Sequence, residues 1–207
     1  MPADGFRAPI ELRGRHIELV PLAPAHAADL AHAARDPETS RFLREPVPST
    51  EAAIGPYIAM LLDRHRAGTD LPFTTRLLPH GPAIGMTRYL NIDRPNRNVE
   101  IGGTWLDSAF WRTAVNTESK YLLLRHAFEV EGVRRVQLQT DQRNERSQRA
   151  IARIGGVREA LLRENVLLAN GYFRSSVIYS LLESEWPAAK ARLEGMLARP
   201  WQRPGGL

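Results

Sequence analysis

Residues 110 to 128, FWRTAVNTESKYLLLRHAF, join a loop with a basic residue directly to a strongly apolar helix. The loop contains Arg112 and small side chains, and the first turn of a helix has backbone N–H groups without partners in the helix. These amides and the partial positive charge of the helix N-terminus suit an anion, above all a phosphate. An ordinary loop-to-helix junction is the alternative interpretation.

The charge of the chain also suits an anionic partner. The 207 residues have a formal net charge of +5, and because Lys120 and Lys190 are the only lysines, arginine supplies nearly all of the positive charge. The arginines are scattered and form no basic block with interleaved aromatic residues. Net charge is therefore the only feature that supports a nucleic-acid partner, and we expect no specific nucleic acid to bind. A phosphorylated small molecule fits the same charge.

The absence of cysteine excludes several kinds of chemistry. With no cysteine in the chain, there can be no disulfide, no thiolate metal site and no cysteine nucleophile. The six histidines have no spacing that indicates a metal site, and His126 is expected to be a core or boundary residue. No apolar run reaches the length of a membrane span, and the N-terminus has no secretory pattern, so we expect a cytoplasmic protein without a membrane partner.

Periodicity and turn residues predict one α+β domain over residues 1–207, with a core over about 10–183 followed by a C-terminal helix and tail over 184–207. A strand, loop, helix and strand in succession over 97–141 predict one central parallel pair in an otherwise antiparallel sheet. The tail after residue 199 is expected to be frayed. Predicted strands cover 10–22 (a hairpin turning at Gly14), 71–78, 82–92, 97–107, 133–141, 158–165 and 172–183. Predicted helices cover 24–35, 51–66 with Ser49 as N-cap, 115–130, 144–156 with Asn144 as N-cap, and 184–199.

This order of elements, together with VEIGGTWLD, VNTESKYLLLRHAF and NERSQRAIARIGG, resembles the GNAT superfamily of acyl-CoA N-acyltransferases over about residues 10–183. It is most similar to the branch that includes the ribosomal-protein N-terminal acetyltransferases. The resemblance implies a GNAT-like fold flanked by helices, acetyl-CoA or another acyl-CoA as donor, and no metal. It also implies an amine acceptor, which could be a protein N-terminus, a polyamine or an amino sugar, and a homodimer is common in similar proteins.

The phosphate-binding loop departs from the pattern of the family. GNAT pyrophosphate loops usually read Gln/Arg-x-x-Gly-x-Gly/Ala, whereas Ala114 and Asn116 stand at the two glycine positions here. Backbone amides need no particular side chain, so we expect them still to hold the pyrophosphate, provided that the backbone keeps negative φ or that Asn116 takes the single unusual angle. The residues predicted to bind it are Arg112, Thr113, Ala114, Val115, Asn116 and Thr117.

Acyl transfer needs an uncharged amine, and Glu100 is the candidate base. An α-amine has a pKa of about 8 and a lysine amine one of about 10.4, so a base helps both at neutral pH. Glu100 lies two residues before Gly102, on the strand that by resemblance borders the donor. The alternative is a strand-surface glutamate paired with Arg94 or Arg97.

The remaining roles also follow from the resemblance. Trp105 and Leu106 would bind the pantetheine arm through their backbones, and free amides would polarise the carbonyl where the 97–107 strand parts from its neighbour. Many family members protonate the sulfur with a tyrosine, but Ile151 stands at that position, which leaves Ser147 after Asn144 as the remaining hydroxyl. The alternative is that Asn144 and Ser147 only cap a helix.

Two functional classes therefore stay open. The first is an N-acyltransferase in which the amine attacks the donor directly in a ternary complex, with residues 35–70 covering the acceptor. The second is a GNAT-fold acyl-CoA sensor or interaction module with weak or no activity, which the missing glycines favour.

Overall fold

A computed structural model describes residue 6 and residues 9–201. Eight strands form one sheet in the order β1-β2-β3-β4-β5-β6-β8-β7, and neighbours are antiparallel except for β5 and β6, which are parallel. The predicted α+β class, with a mostly antiparallel sheet and one central parallel pair, is confirmed. The strands are β1 Leu12–Arg13, β2 Ile17–Pro21, β3 Leu71–Leu77, β4 Ala83–Asp93, β5 Asn98–Leu106, β6 Arg135–Asp141, β7 Val157–Leu167 and β8 Phe173–Leu182.

Five α-helices flank the sheet, with two corrections to the predicted boundaries. The N-cap of the second helix is Thr50 rather than Ser49, because Thr50 has an extended backbone and its hydroxyl accepts from the Ala53 amide. The helix predicted over 115–130 is α-helical only to Arg125 and continues as a π turn over His126–Val130. The tail predicted to fray lies largely in 202–207, outside the described residues. The helices are α1 Ala27–Ala33, α2 Glu51–Arg66, α3 Ala114–Arg125, α4 Glu145–Arg153 and α5 Trp186–Leu197.

The two faces of the sheet carry separate apolar clusters. On one face, α3 and α5 pack against each other and bury residues such as Leu123 and Leu193 with strand residues such as Val136. On the other face, α1 and α2 bury Ile54 with Trp105. Each helix therefore has an apolar side that the sheet covers, which is the main source of stability for such layers.

A buried carboxylate fixes α3 to the β1–β2 turn. Glu118 accepts three backbone N–H groups, from Arg15 at 2.6 Å, His16 at 2.9 Å and Ile17 at 3.0 Å. A Cβ at Gly14 would lie 2.5 Å from the Glu118 carboxyl carbon, so only glycine fits there. These contacts hold the first half of α3, which follows the candidate phosphate loop, in a fixed position.

The parallel pair opens shortly after it forms. Pairing between β5 and β6 runs only from Asn98–Arg135 to Glu100–Gln137, whereas β5 stays paired with β4 as far as Leu106. A bulge in β5 places Gly103 at φ +55°, and a Cβ there would lie 2.6 Å from Arg88 Nε. Beyond Glu100, the facing edges of β5 and β6 are therefore free for a ligand.

Candidate active site

A cavity of about 660 Å³ lies where β5 and β6 part. The cavity is lined by the free edges of the two strands, the first turn of α3 and one side of α4. Phe42 and Glu45, in the segment before α2, and Tyr57, in α2 itself, complete another part of the lining. The predicted phosphate loop, Glu100, Trp105, Leu106, Asn144 and Ser147 all border this cavity. Of the residues predicted for the site, Ala114, Val115 and Thr117 are not part of its lining, although their backbones belong to the same loop and turn.

The mouth of α3 has free backbone donors. Thr113 is the N-cap, and its hydroxyl accepts from the Val115 amide at 3.3 Å. In the described chain, the amides of Thr113, Ala114 and Asn116 have no hydrogen-bond partner in the protein, whereas Thr117 is the fourth residue of α3, where hydrogen bonding within the helix begins. Ala114 and Asn116, at the two glycine positions, are helical, so the backbone keeps negative φ there, which is the first of the two predicted alternatives. A positive angle is found instead at Arg112, at φ +62°, just before the helix.

Sequence reasoning missed three arginines that lie beside this mouth, which we call the α4 arginine face: Arg146, Arg149 and Arg153. They follow one another at spacings of three and four residues, which places them on one side of α4, and all three line the cavity with Arg112. Arg146 stacks on the Trp111 ring at 3.5 Å, and burial, with a smaller contribution from Arg112, lowers its pKa from the usual value. Arg153 donates to Thr117 Oγ1 at 3.2 Å. The spacing is visible in NERSQRAIAR and could have indicated a second basic wall.

The backbone of β5 borders the cavity as predicted, and one of its carbonyls already has a donor. The Trp111 indole donates to the Leu106 carbonyl at 3.0 Å, which fixes the loop against the end of β5. The Trp105 indole is only 2% exposed and packs in the cluster of α1 and α2, as expected for a core side chain.

Glu100 is buried, at 3% exposure, and three side-chain amides hold its carboxylate. Asn91 at 2.8 Å and Gln137 at 3.2 Å donate to Oε2, and Gln139 donates to Oε1 at 2.6 Å. A Cβ at Gly102 would lie 3.2 Å from Oε1, so the glycine leaves room beside that oxygen. The partners are amides and not the arginines of the alternative interpretation. Because each carboxylate oxygen can accept two hydrogen bonds, Oε1 retains one position for a ligand.

Asn144 caps α4, as the structural interpretation expected, and still borders the cavity. Its Oδ1 accepts from the Ser147 amide at 3.0 Å, which orients the first turn of the helix. Ser147 and Ile151 line the same wall, and Ile151 is 6% exposed. Capping therefore positions Ser147, and its hydroxyl is available to a ligand in the cavity.

A buried lysine that the sequence did not single out also lines the cavity. Lys120, on α3, is 7% exposed and donates to Thr104 Oγ1 at 2.6 Å, and Thr104 in turn shares a hydrogen bond with Thr87 at 2.8 Å. Burial lowers the pKa of Lys120 from its usual value to about 7. No carboxylate in the described part of the chain pairs with this amine.

His126, which was expected to be a core or boundary residue, lies outside this cavity. His126 is buried in the core, where burial lowers its pKa to about 4 and its ring contacts Tyr89 and Glu131. Among the residues described, no helix has the length and apolar character to cross a bilayer, and no group of three or more acidic or histidine side chains could hold a metal ion.

Comparison with known proteins places these observations in a family. The acetyltransferase (GNAT) domain family matches residues 16–157. A Bacillus subtilis protein named "Putative ribosomal N-acetyltransferase YdaF" is 35% identical over 114 residues, which are 55% of this chain and 61% of the relative, so the chain spans less than two thirds of that protein. A T. thermophilus structure described as a "putative acetyltransferase" is 43% identical, with a TM-score of 0.82 over 92% of this chain and 98% of that one. Mycobacterium smegmatis RimJ in complex with CoA-disulfide shares the fold, with a TM-score of 0.81 at 20% identity over 95% of this chain and 99% of that one.

Proposed function

The chain belongs to the GNAT acetyltransferase family, and we propose that it transfers an acetyl group from acetyl-CoA to a primary amine by direct attack in a ternary complex. One observation supports this most strongly. A single cavity joins the basic mouth of α3, the parted edges of β5 and β6, and the Glu100 carboxylate. Phosphate, thioester and amine would thus each meet a suitable group in one continuous space.

The mouth of α3 fits the pyrophosphate of a CoA thioester. The free amides of Thr113, Ala114 and Asn116, together with Arg112 and the α4 arginine face, would supply backbone donors and positive charge to an anion there. The α4 arginine face would add positive charge from a second helix, and the loop can do without glycine because Ala114 and Asn116 are helical. The binding of CoA-disulfide by RimJ agrees with this assignment.

The chain's own groups would move the protons. The thioester supplies an acyl group on a good leaving group; a bond forms from nitrogen to the acyl carbon and the carbon–sulfur bond breaks. Glu100 Oε1 would take the proton that the amine loses and release it to solvent, and free amides on the edge of β5 would stabilise the negative charge on the acyl oxygen. Ser147 would donate a proton to the departing sulfur and regain one from solvent. The chain has no cysteine, so no acyl-cysteine route competes with direct attack.

The acceptor that we propose is a protein N-terminus. Its amine, with a pKa of about 8, needs less help from a base than the amine of a lysine or polyamine. The name of the Bacillus subtilis relative supports this choice, while a polyamine or an amino sugar is the alternative acceptor. A cytoplasmic location and a homodimer remain predictions.

Replacing the loop arginine tests the phosphate site. Arg112→Ala should weaken CoA binding by about 10- to 100-fold, because a charge-assisted hydrogen bond to phosphate contributes about 1.5–3 kcal/mol. Arg146→Ala should have an effect of the same size. Calorimetry with CoA measures both, and Arg163→Ala, an exposed arginine on β7 outside the cavity, is the matched control. Unchanged CoA affinity in both loop and helix variants would contradict the assignment.

A further inference from the structure

Three arginines line the cavity on elements that do not form the phosphate site, and of these Arg88 is paired with Glu45 and Asp70 whereas Arg174 and Arg44 have no carboxylate partner among the described residues. Arg174 lies at the start of β8, and Arg44 lies in the segment between α1 and α2. Arg174 is only 4% exposed, yet its Nε has no hydrogen-bond partner in the protein and its one hydrogen bond among the described residues is a long one, 3.4 Å, to the Phe42 carbonyl. Burying a guanidinium without an anion costs free energy. Arg174 therefore has the capacity to bind an anion that the described part of the protein does not supply.

The carboxylates near Arg174 form no hydrogen bond or ion pair with it and have other partners. Arg143 binds Asp141 through its side chain at 2.8 and 3.1 Å, and the three amides bind Glu100. Glu45, also on the cavity wall, pairs with Arg64 and Arg88. Burial and the neighbouring charge of Arg44 lower the pKa of Arg174 to about 10, although the charges of Asp141 and Glu100 oppose this shift.

A hydrogen-bonded amide places these cations beside the candidate base. Gln139, on β6, accepts from Arg44 through Oε1 and donates to Glu100 Oε1 through Nε2 at 2.6 Å. One carboxamide therefore separates the Arg44 guanidinium from the oxygen that would receive the proton of the amine. A group bound to the two arginines would lie only a few atoms from an amine bound to Glu100, and thus in the acceptor rather than in CoA.

We infer that Arg174 and Arg44 form a carboxylate subsite, and that the acceptor is a primary amine with a carboxylate a few bonds away. For a protein N-terminus, this means an acidic first or second residue. Arginine binds carboxylate with two parallel hydrogen bonds, which would satisfy the unpartnered Arg174 when the acceptor is in place. The inference rests on the proposed function, because it names the substrate class for the same site.

Paired acceptors that differ only in the carboxylate test the subsite. The acceptors are Asp-Ala-Ala against Asn-Ala-Ala, Ser-Asp-Ala against Ser-Asn-Ala, and free alanine against alaninamide, each with acetyl-CoA and with CoA release as the readout. We expect kcat/KM to favour the acidic member by about 10-fold or more in at least one pair, since a charge-assisted contact contributes about 1.5–3 kcal/mol. The pair that shows the preference identifies the source of the carboxylate.

Variants assign that preference to the arginines. Arg174→Met and, independently, Arg44→Met should reduce the ratio to below about 3-fold, whereas Arg163→Met should leave the ratio unchanged; Arg44 is exposed, so its variant serves if Arg174→Met does not fold. Equal use of acidic and amide acceptors by the unmodified protein overturns the subsite while leaving the proposed transferase intact. Preference that survives both arginine variants also overturns it. Absence of transfer to every acceptor overturns the inference together with the proposed function.

Discussion

Glu100→Gln is expected to lower kcat/KM at neutral pH by about 10- to 1000-fold. The buried carboxylate has one free acceptor position on Oε1, and the variant cannot take a proton from the acceptor amine there. The loss should shrink as pH rises past about 8, where an α-amine deprotonates without help. Acetyl-CoA affinity should change little, because the pyrophosphate contacts lie on other elements.

The measurement is the pH profile of kcat/KM for both proteins with one peptide acceptor, together with calorimetry for CoA. Glu159→Gln is the matched control, because Glu159 is exposed on β7, pairs with Arg135 and does not line the cavity. Equal activity of Glu100→Gln and the unmodified protein below pH 7 would remove Glu100 from the mechanism.

Lys120→Met is expected to stabilise the ligand-free protein, and by more at pH 6 than at pH 9.5. The folded protein holds Lys120 at a pKa of about 7, whereas the unfolded chain has the ordinary value of 10.5. Between these values the unfolded chain binds the additional proton, so the free energy of unfolding rises with pH over that window. Below about pH 7 the full cost of a buried ammonium is present, and methionine removes it.

The difference in pKa sets an upper limit of about 5 kcal/mol, and the lost hydrogen bond to Thr104 reduces the net gain to about 2 kcal/mol. For a chain of this size that gain corresponds to roughly 4–8 °C in Tm at pH 6. Lys190→Met is the natural control, because Lys190 is the other lysine, lies near the surface and pairs with Glu129. Its effect should be small and nearly equal at both pH values. A Lys120→Met protein that is no more stable than the unmodified protein at pH 6 would contradict this account of the buried amine.

Local patterns in the sequence were sufficient to predict the order of the elements and the parallel pair, whereas the opening of the sheet was expected from the family resemblance. Strand residues such as Val99 and Val136 alternate with polar ones, and the helix between their strands requires a parallel crossover. Backbone details were harder, because two adjacent residues such as Ser49 and Thr50 can both cap a helix, and no local pattern indicated a positive angle at Arg112. The angle at Arg112 lies where the loop meets the end of β5 and Trp111 donates to the Leu106 carbonyl.

The polar groups of the site depend on contacts between distant parts of the chain. Glu100 is held by Asn91, Gln137 and Gln139, and nothing local to Glu100 indicates that these amides surround it. The burial of Lys120 and Arg174 likewise results from strands and segments far away in sequence. By contrast, the α4 arginine face was visible as a spacing of three and four residues.

The comparison of CoA with pantetheine in calorimetry tests the central claim most directly. If the mouth of α3 and the α4 arginine face hold the pyrophosphate, the unmodified protein should bind CoA at least about 10-fold more tightly than pantetheine, which lacks the phosphates. Raising the salt concentration should reduce that advantage, because the contacts are ionic. Equal binding of the two compounds, or binding of neither, would contradict the phosphate site and favour a GNAT-fold protein that does not use CoA as a substrate.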